Sequence, residues 1–273
     1  MKAKPLLDKT ILAACSEKKM AELVVGLEAM GGKVIPFPVI EVRDIEDKRL
    51  LDLALDSIDE YAWIIFTSVH GVSFFMQRLD ERGIGSVPHS MPRICAIGPA
   101  TAKAVNESGY KVALIPERFV AEGIIEALGK YSGGLNSLVG KRILLARAKE
   151  GREILPEELR ASGVLVDVVP CYQTVRPDFP EGRVQQLRRL RPDLIVFTSS
   201  SALRNMIDII GQEDGKRMIL ESIVAVLGPV TGNTAASFGK CAEIVPKANT
   251  IASLLTEIYE FYSGGNSSVD IPQ

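Results

Sequence analysis

The sequence predicts an α/β fold with mostly parallel sheets, built from two similar halves. Three observations carry that expectation. Short apolar runs alternate with amphipathic stretches of helical length, the pattern of βαβ units around a parallel sheet. The chain repeats itself at a nearly constant spacing, as a duplicated structural unit does. Its 273 residues are 47% hydrophobic and 24% charged, enough for the core of one large domain or of two ordinary ones.

The repeat is legible in three places. KTILAACSEKKM from Lys9 matches KRILLARAKEGR from Lys141, and WIIFTSVHGV around Phe66 matches LIVFTSSSAL around Phe197. CAIGPATAKAV around Gly98 matches VAVLGPVTGNT around Gly228. The three pairs Lys9/Lys141, Phe66/Phe197 and Gly98/Gly228 stand 132, 131 and 130 residues apart. Independent segments at one spacing argue for duplication.

In the first copy, residues 11–13, 34–35, 64–67, 94–97 and 112–115 read as buried parallel strands, being short apolar runs. Helical spacing of apolar residues places helices over 20–30, 71–82 and 101–108. The second copy repeats the order from Ile143. Two partitions compete. The Gly/Ser/Asn-rich stretch 130–141 (KYSGGLNSLVGK) suggests a boundary near residue 135. Alternatively, the repeat-related segments PFPVIEV (36–42) and PCYQTVRP (170–177) are extended crossings between domains. Periodicity alone does not decide between them.

Composition excludes several classes. A net charge of −2 argues against a general nucleic-acid binder, though not against a local basic cleft. Cys15, Cys95, Cys171 and Cys241 are far apart, with no CxxC or Cys/His cluster, so no metal site is expected and free thiols of a cytoplasmic protein are the economical reading. Lys2, Lys4, Asp8 and Lys9 interrupt any apolar run of a signal peptide. The least polar long segment, 223–238, contains Gly, Pro, Asn, Thr and Ser, and reads as strand, turn and helix, not as a membrane span. The small, polar tail 263–273 (SGGNSSVDIPQ) is expected to be disordered. No Walker loop, GxGxxG or HExxH motif occurs.

Candidate chemistry sits where apolar strands run into FTS and GPxT. Ligands of open α/β sheets bind beyond the carboxyl ends of the strands. Thr67, Ser68, Thr198, Ser199 and Ser200 are of N-cap type, and Pro99 and Pro229 suit a first helical turn. Gly98 and Gly228 are expected to let the backbone approach a ligand closely. Free N–H groups and partial positive charge at four helix starts suit carboxylate or phosphate; ordinary capping is the bland alternative. Arg147 and Lys149 follow the first strand of the second copy, and Arg152 precedes a helix; they pair with carboxylates or are solvated surface charge. Tyr172, in the second crossing, either presents its hydroxyl to a ligand or plugs an interface. His70 is expected to be solvated, and His89 has no visible role.

At these segments the chain resembles uroporphyrinogen-III synthase. IIFTSVHGV, AIGPATAKAV, GREILPEELRASGVLVDVVPCYQTV, VFTSSSAL and VLGPVTGNTA carry the resemblance, which spans about residues 9–262. The GREILP to YQT stretch is the most specific, although Cys171 precedes the tyrosine here. The resemblance implies two flavodoxin-like domains joined by a two-stranded linker. One would combine residues 1–38 with 175–262, the other would be 41–171, and both prolyl segments would be crossings.

It further implies a cofactor-free cytoplasmic enzyme, monomeric, with no nucleic-acid or membrane partner, that takes hydroxymethylbilane and makes transient contact with the preceding enzyme of the pathway. Loss of the terminal hydroxyl as water leaves an azafulvene cation. Attack through the substituted carbon of the far pyrrole gives a spiro intermediate. Fragmentation and reclosure invert that ring. The protein's part is chiefly to hold the reacting ends together. Tyr172 is the residue matched to assisting hydroxyl departure, by orientation and hydrogen bonding more than full proton transfer. Thr67, Ser68, Thr101, Ser199 and Thr231 match substrate-binding positions and Arg152 a basic one; Gly98, Arg147, Lys149, Ser200 and Gly228 complete the expected set. Gly232-Asn233 stands where the first copy has Ala102-Lys103, which weakens that helix start. Two other functions remain open: a non-catalytic anion-binding sensor or carrier, and a flavodoxin-like redox or signalling module.

Overall fold

The computed structural model describes residues 4–84 and 91–264. His89 and all but the first two residues of the tail lie outside them. The chain forms two compact units: Met1–Glu41 with Val175–Gln273, called here the split unit, and Val42–Thr174, the inserted unit.

The split unit opens with β1 (Thr10–Ser16), α1 (Glu17–Ala29) and β2 (Lys33–Asp44), whose last residues enter the inserted unit. The inserted unit continues through α2 (Arg49–Asp56), β3 (Tyr61–Phe66), α3 (Val69–Glu81), β4 (Arg93–Ala96), α4 (Pro99–Glu107) and β5 (Val112–Leu114). It closes with α5 (Ala121–Ser132), β6 (Arg142–Ala148), α6 (Ile154–Ala161) and β7 (Leu165–Val175). The split unit resumes with α7 (Glu181–Arg189), β8 (Leu194–Phe197), α8 (Ser200–Ile210), α9 (Gln212–Glu221), β9 (Ile223–Val226), α10 (Pro229–Ser237) and α11 (Ile251–Ser263).

Within the split unit the strands run β2-β1-β8-β9, all parallel, and an isolated parallel bridge from Ala225 to Ile244 stands where a fifth strand would be. Within the inserted unit they run β7-β6-β3-β4-β5, again all parallel. Counted from β1 and from β6 respectively, both are the 2-1-3-4-5 order of doubly wound flavodoxin-like sheets. The inserted unit reaches that order by a permuted chain path. The Gly-rich stretch, one of the two competing boundaries, therefore lies inside it, between α5 and β6, with Gly133 ending α5 in the left-handed region at φ 75°.

Alternation along each strand sorts the cores. Leu12, Ala14, Ile195, Phe197, Val224 and Val226 face α8 and α9, while Ile11, Ala13, Cys15, Leu194, Val196 and Ala225 face α1 and α11. The inserted unit repeats this. Ile64, Phe66, Leu144 and Ala146 pack on Val72, Phe75 and Leu79 of α3; Trp63, Ile65, Ile143 and Leu145 pack on Ile124 and Leu128 of α5 and Leu159 of α6. Strands covered on both faces read as continuous apolar runs.

Two strands are much longer than their apolar runs. Residues 34–35 and the crossing 36–42 form one strand, β2, and β7 likewise absorbs 170–175. Pro38 and Pro170 precede β-bulges: the register steps from Cys15–Pro38 to Ser16–Ile40, and from Arg147–Pro170 to Ala148–Tyr172, while Pro36 stands in register opposite Ala13. The helices start earlier than apolar spacing suggested, α3 at Val69 and α4 at Pro99, since a first turn is set by its cap, not by apolar residues.

Candidate functional site

In the 2-1-3-4-5 order, the switch point of the inserted unit lies between β6 and β3, beyond their carboxyl ends. The segments that leave these strands there are Thr67–Ser68 and residues 149–153. Ser68 caps α3: its Oγ accepts from the Gly71 amide at 3.0 Å. The same oxygen lies 2.9 Å from the Tyr172 hydroxyl.

The bulge explains how Tyr172 reaches it. One extra residue, Cys171, re-aims the strand, and Val169, Cys171 and Tyr172 all join the core cluster under α3. Tyr172 is buried, its ring stacked on Phe74 (centroids 6.0 Å, interplanar 16°) and tilted 5.7 Å from His70. The Tyr172 ring is thus packed in the core while its hydroxyl is held at the start of α3. Burial pushes the Cys171 thiol up to about 12, so the bulge residue stays protonated.

Residues 149–153 close the other side of the switch point. The Lys149 amide donates to the Tyr172 carbonyl at 2.7 Å. Lys149 and Arg152 are exposed. Arg49 hydrogen-bonds nearby Asp47 and holds its carboxyl at about 2, with a smaller pull from Lys149. Arg147 differs from its expected role. It is only 8% exposed, its Nη1 donates to the Arg152 carbonyl at 2.7 Å, and its Nη2 pairs with Glu153. As the structure stands, its guanidinium is engaged inside the chain, not offered to a carboxylate.

The glycines of the GPxT turns are also explained differently. Both are extended, at φ −169° and −170°, conformations open to any residue. What excludes a side chain is a neighbour. A Cβ on Gly98 would lie 3.3 Å from the Phe119 ring, and one on Gly228 would lie 2.7 Å from Asn249 Oδ1. So the close approach is to the chain itself. Thr101 and Thr231, in the first turns of α4 and α10, are buried at 4% and 5% exposure. Both residues are packed into the fold, and the Thr231 amide donates to the Gly228 carbonyl at 3.1 Å.

In the split unit, Ser199 caps α8 by accepting from the Ala202 amide at 3.1 Å and lies 3.0 Å from the Ser201 hydroxyl. Ser200 donates to the Val230 carbonyl and accepts from Thr234, which ties α8 to α10. Thr198 is buried and Thr67 half-buried. The repeat places Ile40 where the inserted unit has Tyr172, and Asn205 where it has Phe74. Asn205 instead donates to the carbonyl of the bulged Val39 at 2.8 Å. Only the inserted unit's copy of this turn therefore carries an acidic hydroxyl.

Sequence reasoning missed Phe74, Phe119, Asn249 and Glu153. Phe74 was within reach, because it follows His70 by one helical turn on the same face. The others depend on loops folding back, which no local spacing announces. Among the described residues no cluster of His, Cys, Asp and Glu could hold a metal ion.

A family model described as uroporphyrinogen-III synthase HemD matches residues 21–256. A uroporphyrinogen-III synthase of Synechococcus elongatus is 28% identical over 268 residues, covering 96% of this chain and 98% of that protein. A putative uroporphyrinogen-III synthase of Methanothermobacter thermautotrophicus is 27% identical, over 88% of this chain and 94% of its own. Solved uroporphyrinogen III synthases of Helicobacter pylori and Thermus thermophilus superpose with TM-scores of 0.62 and 0.60 at 15% identity, each over more than nine-tenths of both chains. At that identity they speak to the fold.

Proposed function

From the premise that the chain belongs to the uroporphyrinogen-III synthase family, we propose that it closes hydroxymethylbilane to uroporphyrinogen III, losing water and inverting the last pyrrole ring. It is an enzyme of tetrapyrrole biosynthesis, a cyclising lyase. The observation that carries the mechanism is the Tyr172 hydroxyl, 2.9 Å from Ser68 Oγ at the start of α3.

Ser68 accepts from the Gly71 amide, which leaves its own proton free to be donated to Tyr172. A tyrosine that accepts this bond keeps its own O–H for the substrate. In this reading Tyr172 donates to the terminal hydroxyl as its C–O bond breaks, and water departs. The azafulvene cation left behind is stabilised by its own pyrroles. The remaining steps are intrinsic to electron-rich rings, so the chain's main contribution is to hold the far pyrrole in reach.

The bilane carries acetate and propionate on every pyrrole. Lys149, Arg152 and the first-turn amides of α3 and α4, all in the inserted unit, are the carboxylate partners in this reading. In the same reading the enzyme works in the cytoplasm as a monomer and receives the bilane from the preceding enzyme. Among the described residues no helix is long and apolar enough to cross a membrane.

The test is to supply enzymatically made hydroxymethylbilane and resolve the product isomers. Type III in excess over type I is expected. Type I alone, at the rate seen without protein, refutes the proposal and favours an anion-binding carrier.

A further inference from the structure

Arg147 and the loop after it invite a role that the repeat sharpens. In the first copy, β1 runs straight into a helix: Ser16 ends the strand and α1 begins at Glu17. In the second copy the matching residues, Ala148 and Lys149, enter an irregular segment, and α6 begins only at Ile154. The residue that precedes this divergence is Cys15 in one copy and Arg147 in the other.

Arg147 spans that segment. Its Nη1 donates to the Arg152 carbonyl at 2.7 Å and its Nη2 pairs with Glu153, the residue before α6. At the other end the Lys149 amide is tied to the Tyr172 carbonyl at 2.7 Å. Gly151 lies across the guanidinium: a Cβ there would come within 3.0 Å of Arg147 Cδ and 3.1 Å of its Nε. Nε itself is buried with no hydrogen-bond partner among the described residues. A buried donor without a partner costs stability, so an apolar residue would serve mere packing better.

We propose that Arg147 is a positioning residue: it braces residues 149–153 so that Lys149 and Arg152 meet the substrate's carboxylates, and it does not touch substrate itself. The proposal rests on the ring-closing reading above.

Arg147→Gln removes the brace, and Gly151→Ala pushes the guanidinium aside while keeping its charge. Hydrogen exchange on the full chain gives a readout independent of activity. The Lys149 amide, held by the Tyr172 carbonyl, should exchange faster in both variants, with the rest of the molecule unchanged. Kinetically, Arg147→Gln should raise KM for hydroxymethylbilane about tenfold, the loss of one well-placed charged contact, and change kcat less than twofold. In a Lys149→Ala/Arg152→Ala background the same substitution should add nothing further, because the groups it positions are gone. Unchanged exchange in the loop, or an undiminished KM penalty in that background, overturns the brace. Should Arg147→Gln fail to fold, Gly151→Ala carries the exchange and KM tests alone. A wild-type chain that makes no type III isomer sinks the parent reading, while the exchange result still decides the brace.

Discussion

At the scale of single residues, the two copies differ where chemistry is assigned. Ile40 and Tyr172 occupy equivalent places after equivalent bulges, yet only Tyr172 carries a proton to give. Tyr172→Phe keeps the ring on Phe74 and loses the hydroxyl. We expect turnover to fall at least about tenfold, in line with loss of an assisting acid, with the melting temperature little changed. Unchanged kcat would remove Tyr172 from the mechanism. A second tyrosine serves the fold. Tyr61 donates to Asp167 at 2.7 Å while Arg142 lies 4.6 Å over its ring and bonds the same carboxylate. Burial first, then the Asp167 bond, pushes its phenol up to about 12. The folded pKa is raised, so the stabilising contribution is complete below the unfolded value near 10 and is lost as pH rises through about 12. Unfolding of wild type and Tyr61→Phe measured across that window should therefore converge. A constant gap between the two would contradict the assignment. Tyr172 was legible in the sequence from its place in a crossing segment, and Ser68 from its capping position. Their 2.9 Å contact was not, because it depends on one extra residue in the ladder.

At the scale of elements, the helix starts are where sequence and structure agree most and where the reasons differ most. FTS and GPxT do mark strand ends that become helices, as small polar caps and an N1 proline require. The glycines were read as room for a ligand, and the structure gives that room to Phe119 and Asn249, some twenty residues downstream. No local pattern announces such a neighbour. A sharp contrast follows for α10. Gly232 lies inside the helix, and a Cβ there would meet only Val226 at an ordinary 3.8 Å. Gly232→Ala should stabilise the protein by up to about 1 kcal/mol through helix propensity. Gly228→Ala, one turn earlier, would press on Asn249 Oδ1 and should destabilise. Denaturant unfolding of the two variants tests this, and equal shifts of one sign would mean that packing around α10 has been misread.

At the scale of the whole molecule, duplication was visible from matched spacings, and alternation of apolar runs with helical stretches gave the parallel sheets. What periodicity could not supply was the chain path. The Gly-rich stretch 130–141 looks like a linker by composition and is an ordinary loop from α5 to β6, because the inserted unit is permuted. Its chain enters at the end of β2 and leaves at the end of β7, and Gln173 donates to the Asp44 carbonyl at 3.2 Å, so entry and exit are neighbours. A unit with adjacent termini and its own two core layers meets the physical requirements of an independently folding insertion. Residues 42–174 expressed alone should therefore fold cooperatively, with dispersed amide resonances and a single unfolding transition. Residues 135–273, the piece that the Gly-rich boundary would predict, should not, because β6 would lose β3 and β8 would lose β1. If the second fragment folded and the first did not, the partition drawn from the structure would be wrong.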